Sequence, residues 1–225
     1  MTTNASELPR QLDRLARLYG RIEPPPPKRA LEWILWENAA YLQSDEKRAQ
    51  AYAALAKRTR LTAEGIAALP RHELLEWAHM GGMNPEGRAE KLLAIATLVQ
   101  ERFDGDLEAA LEQPLSKARS ALARFPGIGA PGADKILLFT RRHALPALES
   151  NGVRVLVRLG YAREAKSYAL TYRSLQTVLA PLAKRGIDFL IRMHHLLRRH
   201  GQELCKRSAP RCDACPLANE CPSAE

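Results

Sequence analysis

The feature that most constrains the fold of this chain is a cluster of cysteines near residue 210. All four cysteines of the 225 residues lie in the stretch CKRSAPRCDACPLANEC, with the spacing C-x6-C-x2-C-x5-C. The segment 205–225 has too few apolar residues to form a core of its own. Clustered cysteines in a protein without a secretory signal indicate a metal site and not disulfides. Thiolates favour zinc or an iron–sulfur cluster. Only one pair of cysteines is close in sequence, as C-x2-C, and the other two cysteines lie further away. This spacing suits a four-iron cluster better than zinc, which remains the alternative.

The charge of the chain is unevenly distributed. The net charge is +9, and residues 141–225 contain 15 Lys and Arg against 7 Asp and Glu, whereas residues 1–140 contain 19 against 18. A basic half favours a polyanionic partner such as nucleic acid; a solvated basic surface is the alternative. The N-terminal residues contain no apolar signal segment, and no apolar run is long enough to span a membrane. We therefore expect a cytoplasmic protein, associated with the nucleoid in a bacterium.

The pattern of apolar residues predicts an all-α fold. Helical spacing recurs along nearly the whole chain, and no segment shows the alternation of a strand. Residues 24–27, PPPP, predict an extended spacer. Asp45, Thr62 and Ser116 are predicted N-caps, while Gly81–Gly82 and Gly201 are predicted to end helices. Helices are predicted over 8–20, 28–43, 46–58, 63–68, 71–79, 86–102, 107–112, 116–124, 131–142, 151–160, 171–185 and 187–200.

A second compact motif is the stretch FPGIG, which begins at Phe125. Its two glycines, Gly127 and Gly129, permit positive φ and remove side chains from the turn. Amides of such a turn, and of the helix that follows, can bind a phosphate. That contact does not depend on base sequence and weakens with salt. Alone, the pattern P-G-x-G is a weak signal.

The cysteine spacing, the preceding HHLLRRHGQELC and the FPGIG turn together resemble the endonuclease III and adenine DNA glycosylase superfamily over about residues 28–221. The resemblance implies two helical domains with a DNA cleft between them. One is a six-helix barrel with a helix-hairpin-helix motif, over 30–142 with the hairpin at 125–131. The other is an iron–sulfur cluster domain, made of 1–29 and 143–225 with the cluster loop at 205–221.

The same resemblance implies ligands and partners. It implies a monomer that binds double-stranded DNA with a damaged or mispaired base and has no membrane partner. We interpret His194, His195 and His200 as helix-packing residues beside the cluster. A [4Fe-4S] cluster is expected on Cys205, Cys212, Cys215 and Cys221, and DNA contacts are expected from Gly127, Ile128, Gly129, Lys206, Arg207 and Arg211.

The superfamily removes a base from a nucleotide flipped out of the duplex. A carboxylate stabilises the positive charge that develops on the sugar, and some members add a lysine that forms a Schiff base. The lysine position is Pro131 here; Lys135, one turn further on, is interpreted as solvated or phosphate-facing. The carboxylate position is Glu149, in the similar segment LESNGVRVLVRLG, where the family has aspartate. The alternative is that Glu149 only caps the helix that follows.

A second carboxylate is implied by the adenine glycosylases, in which a glutamate of an early helix protonates the leaving base. Aligning RALEWILWENAAYL with that helix assigns the role to Glu32, with Glu37 as a competitor. The apolar neighbours of Glu32 predict that its pKa is raised. Asn38 is expected to contact DNA near the gap left by a flipped base, and Trp33 and Trp36 are predicted to be core. The Gln-Gln-Thr-Gln and Tyr-Tyr motifs of adenine glycosylases are absent.

These patterns lead to one functional hypothesis with two alternatives. The hypothesis is a monofunctional N-glycosylase of base-excision repair that hydrolyses the base–sugar bond with Glu149. The first alternative is a catalytically impaired protein that binds DNA damage. The second is a bifunctional glycosylase and AP lyase like endonuclease III, which needs another amine such as Lys135. The sequence does not identify the lesion.

Overall fold

The structure is a computed structural model that describes residues 3–41 and 43–224. Over these two ranges the chain forms twelve α-helices and no strand, so the predicted all-α class is confirmed. Short 3-10 helices occur at Ala5–Glu7, Ala180–Arg185, Cys212–Ala214 and Ala218–Glu220. The α-helices are α1 (Leu8–Tyr19), α2 (Ala30–Ala39), α3 (Asp45–Thr59), α4 (Ala63–Ala67), α5 (Arg71–Met80), α6 (Pro85–Phe103), α7 (Glu108–Leu111), α8 (Leu115–Leu122), α9 (Ala130–Phe139), α10 (Ser150–Arg158), α11 (Tyr168–Leu179) and α12 (Ile187–Glu203).

The chain divides into two compact units. The hairpin unit spans Pro26–Arg142 and contains α2 to α9. The cysteine unit contains the described residues up to Pro25 and from His143 onward, with α1, α10, α11, α12 and the cysteine segment. Among the described residues, no helix combines the length and apolar character needed to cross a membrane.

Helix starts follow local capping chemistry, which corrects two of the three predicted N-caps. Thr62 caps α4 as predicted, because its hydroxyl accepts from the Gly65 amide at 3.0 Å. Asp45 is the first residue of α3, not its cap; Ser44 accepts from the Lys47 amide at 3.3 Å. At that position the Asp45 charge still favours the positive helix end. Ser116 lies inside α8, which begins directly after Pro114.

Glycines explain one helix end and one close crossing. α5 ends where predicted, with Gly81 after its last residue. Gly201 does not end α12, which continues to Glu203. A Cβ atom at Gly201 would lie 2.7 Å from the Cβ of Asn151 on α10, closer than side-chain atoms tolerate. The glycine therefore permits close contact between α10 and α12.

Each unit has its own apolar core. In the hairpin unit, Trp33 packs on Phe139 with ring centroids 4.7 Å apart, and Trp36 packs on Tyr52 at 5.4 Å. Both tryptophans are buried, which confirms that they are core residues. In the cysteine unit, His194 and His200 are buried, as predicted for helix packing. The Nδ1 atom of His194 lies 2.9 Å from the Ala147 carbonyl.

Candidate functional site

The FPGIG turn joins α8 to α9 and is anchored from inside by apolar side chains. Phe125 and Ile128 are buried, and the Ile128 amide donates to the Phe125 carbonyl at 3.1 Å. Gly127 has a φ of +77°, as predicted, but Gly129 has a φ of −91° and an extended backbone. Both glycines permit positive φ, but only Gly127 adopts it, because Gly129 is the N-cap of α9, where extended backbone is the rule. Because the Ile128 side chain is buried and its amide is engaged, only its carbonyl is left for a ligand, and its contact with DNA stays a prediction.

The outer face of the turn presents unpaired amides and open space. Within residues 3–41 and 43–224, the amides of Gly127, Gly129 and Ala130 donate no hydrogen bond. Both glycines are exposed. Apart from the adjacent residues, Pro131 Cδ, at 3.9 Å, is the only atom of the described chain within 4 Å of a Cβ atom placed at Gly129. Three donors at the start of a helix, with room in front of them, can bind an anion.

Asn38, at the end of α2, braces this turn from behind. Its Nδ2 atom donates to the Pro126 carbonyl at 3.1 Å and to the Ile34 carbonyl at 2.9 Å. A Cβ atom at Gly127 would lie 2.7 Å from Asn38 Oδ1, so the turn and the asparagine are in direct contact. The structure therefore brings Asn38 to the hairpin. Its contact with DNA remains a prediction.

Lys135 is not solvated or phosphate-facing, which corrects the prediction. Its Nζ atom lies 2.6 Å from Oε2 of Glu37 on α2, and the two side chains are only 15% and 17% exposed. The reason is that α9 packs on α2, so that one helical turn beyond Pro131 the side chain faces the neighbouring helix. Glu37 is the partner in this ion pair, and Arg48 approaches its other oxygen at 3.9 Å.

Glu32 caps α2, and the prediction that its pKa is raised was wrong; its role as a general acid stays a prediction. Its carboxylate accepts from the Lys28 amide at 2.8 Å and from Nε of Arg29 at 2.9 Å. Burial raises the pKa of Glu32, but these hydrogen bonds outweigh burial and leave the pKa below its ordinary value. The apolar neighbours that predicted the opposite shift are buried in the core, whereas Glu32 reaches back to the start of its helix.

Glu149 is the N-cap of α10. Its Oε1 atom accepts from the Gly152 amide at 2.8 Å, and its Oε2 atom accepts from Nδ2 of Asn151 at 2.9 Å. The residue therefore caps the helix, as the alternative interpretation stated. The two hydrogen bonds also fix the orientation of the carboxylate. Each oxygen can accept a further contact, and the side chain is only partly buried.

A chain of hydrogen bonds connects Glu149 to the cysteine segment. Oδ1 of Asn151 accepts from Nη2 of Arg154 at 2.7 Å. The same guanidinium donates to the Gly201 carbonyl at 2.6 Å and to the Cys205 carbonyl at 2.9 Å. The position of the Glu149 carboxylate thus depends on the backbone of the first cysteine. We refer to Glu149, Asn151, Arg154 and the Cys205 carbonyl as the carboxylate relay.

The four cysteines surround one small cavity with apolar walls. Polar donors approach their sulfurs: Arg158 Nη1 lies 3.4 Å from the Cys205 sulfur, and the Leu217 amide donates to the Cys215 sulfur at 3.4 Å. Yet no group of three or more His, Cys, Asp or Glu in the described ranges is arranged around a single ion position. Four thiols around a shared space, with N–H groups directed at sulfur, form a donor set for a polynuclear cluster.

Two of these thiols and one neighbouring histidine have shifted pKa values. Burial, together with the other cysteines, raises the pKa of Cys215 and of Cys221. Burial lowers the pKa of His200 to about 4, so this imidazole is neutral. It lies between the hydroxyl of Tyr19, at 3.0 Å, and the Cys215 sulfur, at 3.5 Å.

The basic residues of the cysteine segment lie on the surface, on a fixed backbone. Lys206, Arg207 and Arg211 are all exposed. Arg158 of α10 donates to the carbonyl of Lys206 at 2.7 Å and to that of Arg207 at 3.1 Å. Their side chains are therefore free to meet an anion, while the loop that carries them is attached to α10.

Sequence reasoning missed two exposed groups of apolar and aromatic side chains. The first is an exposed patch of Tyr41, Met80 and Met83. The Tyr41 amide donates to the Gly81 carbonyl at 3.1 Å, and Arg88 donates to the Met83 and Asn38 carbonyls. The second group, around Tyr168, adjoins α10. The sequence contains a signal for each group: the glycine-rich stretch GGMN for the first, and the basic and aromatic stretch YAREAKSY for the second. Sequence reasoning did not connect either stretch to the site.

Comparison with known proteins finds relatives that are named as DNA glycosylases or endonuclease III. No family model matches the chain. The chain is 29% identical over 193 residues to DNA glycosylase/AP lyase ROS1 of Arabidopsis thaliana, covering 78% of this chain and 14% of ROS1. It is 30% identical over 116 residues to endonuclease III of Sulfolobus acidocaldarius, covering 52% of this chain and 49% of that enzyme.

Among solved structures, a trapped endonuclease III–DNA covalent intermediate matches with a TM-score of 0.79 at 19% identity, over 99% of this chain and 97% of the other. These relatives and this solved structure are members of the endonuclease III superfamily, which the sequence motifs resemble. The superfamily prediction is thereby confirmed, and so is its all-α fold. The chain spans half or less of the length of the two relatives named above. Pro131 stands at the position that the resemblance assigns to a lysine nucleophile.

Proposed function

We propose that this protein is a DNA glycosylase of base-excision repair that hydrolyses the base–sugar bond without an amine nucleophile. The observation that carries the proposal is that the carboxylate has a fixed orientation while no lysine stands at the position of the nucleophile. Glu149 is held by two hydrogen bonds at the start of α10. Pro131 stands at the lysine position, and Lys135 is bound to Glu37. Relatives named as DNA glycosylases support the reaction class.

The proposed reaction follows from the charge that develops on the sugar. As the C1′–N bond of an extruded nucleotide breaks, positive charge accumulates on the sugar ring, and the electron pair leaves with the base. The Glu149 carboxylate stabilises that charge and orients a water molecule, whose oxygen bonds to C1′ and whose proton is released. The products are a free base and an abasic site in an intact strand.

The low pKa of Glu32 restricts the substrate. An ionised Glu32, held by Lys28 and Arg29, has no proton to give to a leaving base at neutral pH. A base that leaves as a stabilised anion, such as uracil or an oxidised pyrimidine, needs less protonation than adenine does. We therefore infer that pyrimidine lesions are better substrates than adenine opposite oxidised guanine.

The hairpin and the basic cysteine segment are the proposed DNA-binding elements. The unpaired amides of Gly127, Gly129 and Ala130 suit one phosphate, and the exposed Lys206, Arg207 and Arg211 suit others. Asn38 is occupied in bracing the hairpin. We infer that its exposed neighbours Tyr41 and Met83, more than Asn38 itself, fill the gap left by an extruded base, as apolar side chains do in kinked duplexes.

We expect substitutions of the two hairpin glycines to have different effects on stability and on DNA binding. Gly127→Ala should lower the unfolding temperature, because its φ of +77° and the 2.7 Å contact with Asn38 both oppose a side chain. Gly129→Ala should keep that temperature within a few degrees but weaken duplex binding about tenfold, because its Cβ occupies the space in front of the amides. Thermal unfolding and fluorescence anisotropy measure the two effects. Equal effects of both changes on binding and on unfolding would contradict this division.

The four cysteines fit a [4Fe-4S] cluster, and we propose that they bind one. Cys205, Cys212, Cys215 and Cys221 line one apolar cavity, with N–H groups directed at sulfur. When bound, the cluster supplies a structural cross-link. The residues of the chain do the rest: Arg158 fixes the basic loop, and Arg154 connects the Cys205 carbonyl to the carboxylate relay.

The experiment that tests the function is excision from a panel of duplexes. Oligonucleotides with uracil, an oxidised pyrimidine, or adenine opposite oxidised guanine are incubated with the protein and then heated in alkali. We expect cuts that depend on alkali and are strongest for a pyrimidine lesion. Binding without any cut would favour a damage-binding protein, the alternative suggested by the capping role of Glu149.

The ion pair of Lys135 gives a separate test of the lyase alternative. Lys135→Met should destabilise the fold by about 1–3 kcal/mol, because it leaves the largely buried Glu37 carboxylate with only the more distant Arg48, at 3.9 Å, as its ion-pair partner in the described residues. The double variant with Glu37→Gln should recover most of that loss. Borohydride should trap no covalent adduct with wild-type protein and abasic DNA. An adduct that forms in wild type and disappears in Lys135→Met would identify Lys135 as a nucleophile and contradict the proposal.

A further inference from the structure

A cavity beside α10 gathers basic and aromatic residues from three separate segments. It has a volume of about 440 Å³, within the roughly 300–1,000 Å³ of ligand sites in proteins. Ser150, directly after Glu149, contributes from α10. Lys166 contributes from the loop before α11, and Tyr168 is the first residue of α11. Arg207 contributes from the cysteine segment. No function assigned above uses Lys166 or Tyr168.

The charge of this cavity suits an anion. Its charged lining consists of four cations, Arg154, Arg158, Lys166 and Arg207, and one acid, Glu164. Arg154 and Arg158 are engaged with backbone carbonyls. Lys166 and Arg207 have no ion-pair partner within the described part of the chain, and both are exposed.

Tyr168 adds an exposed aromatic face to the same cavity. The residue is 44% exposed, and its neighbour Leu170 is 46% exposed. The ring also stacks on Tyr172 at 6.2 Å, which limits its freedom. Burial, together with the nearby charge of Glu149, raises the pKa of Tyr168 to about 12, so the phenol is neutral and lies within the field of the candidate catalytic carboxylate.

We propose that this cavity binds the DNA strand next to the extruded nucleotide, with Lys166 and Arg207 on a phosphodiester and Tyr168 stacked on the adjoining base. Exposed aromatic rings with flanking cations are the usual means of holding unpaired bases. Ser150 lines the cavity and directly follows Glu149 in sequence. A DNA strand whose sugar meets Glu149 would therefore continue into the cavity. The inference rests on the proposed function, because it assumes that Glu149 meets the lesion strand.

The test is binding of a duplex that contains a tetrahydrofuran abasic analogue, which cannot be excised. Fluorescence anisotropy is measured over a series of KCl concentrations. We expect Lys166→Ala and Arg207→Ala each to reduce the slope of log K against log salt by about 1. Tyr168→Ala should weaken binding about 5- to 100-fold with an unchanged slope, and Tyr168→Phe should restore the affinity. Lys184→Ala and Leu18→Ala, exposed positions outside the cavity, are the matched controls.

Two results would overturn the inference. In the first, the cavity variants bind the duplex like the controls. In the second, free dCMP binds to the protein and loses affinity in Lys166→Ala while duplex affinity is unchanged, which would identify a mononucleotide site. A failure of the proposed glycosylase function can be distinguished from a failure of this inference, because binding of the analogue requires no excision. Loss of excision in Glu149→Gln with no effect of the cavity variants on binding would refute this inference alone.

Discussion

Glu149→Gln should reduce the single-turnover excision rate by about 100- to 10,000-fold. The change removes the negative charge that stabilises the cationic sugar, and electrostatic and acid–base contributions of this kind are worth that much in enzymes. The side-chain carbonyl of glutamine can still accept from the Gly152 amide, so the cap of α10 is retained. The fold should lose no more than about 1 kcal/mol. Quench-flow or manual sampling with excess protein, followed by alkali, measures the rate.

Two controls separate chemistry from structure in this experiment. Glu149→Asp shortens the side chain by one methylene but keeps both the charge and a strong N-cap. It should retain activity within about 100-fold, because a shift of about 1 Å costs at most that much. Duplex affinity should be unchanged in Glu149→Gln. If the glutamine variant excises within threefold of wild type, the carboxylate at this position is only a cap.

Cys215→Ser should remove the cluster and destabilise the cysteine unit. The described segment after α12 has few apolar residues and only short 3-10 helices, so under our proposal its order depends on a cluster shared by the four cysteines. Losing such a ligand belongs to the largest single-residue effects, about 4–5 kcal/mol. In a chain of this size that corresponds to a fall in unfolding temperature on the order of 10–20 °C. Iron analysis, visible absorbance and thermal unfolding measure the outcome.

The same variant should impair excision, although Cys215 is not a proposed catalytic residue. The carboxylate relay joins the Cys205 carbonyl to Glu149 through Arg154 and Asn151, so a loosened segment also loosens the carboxylate. Ser208→Ala, an exposed change in the same segment, should leave iron content, unfolding temperature and excision unchanged. A wild-type protein with one zinc and no iron would contradict the cluster, and an unchanged unfolding temperature in Cys215→Ser would contradict its structural role.

The sequence predicted those parts of the structure that depend on local pattern. Helical spacing of apolar residues predicted the twelve helices of the described residues to within a few residues in most cases, because most of these helices bury one apolar face. The glycine turn was recognised because FPGIG places a positive φ at Gly127. Local pattern was less reliable at helix ends. Ser44 and not Asp45 caps α3, since both residues are good caps and the choice depends on one backbone dihedral.

Tertiary contacts determined the parts that were not predicted. Lys135 was expected to face solvent, and only the packing of α9 on α2 reveals Glu37 as its partner. Burial raises the pKa of Glu32, as its apolar neighbours predicted, but hydrogen bonds from Lys28 and Arg29 outweigh burial and lower the pKa. The cavity at Tyr168 joins residues 150, 166–168 and 207, which no sequence window contains.

The most direct test of the central claim is a crystal structure of the protein with a duplex that contains an abasic analogue. Its decisive measurement is the distance from the Glu149 carboxylate oxygens to C1′ of the extruded sugar. We predict about 3–3.5 Å, the separation of reacting groups held for attack, with no lysine amine within reach of C1′. A Glu149 carboxylate that faces packed protein, or a lysine Nζ at bonding distance from C1′, would contradict hydrolysis by a lone carboxylate.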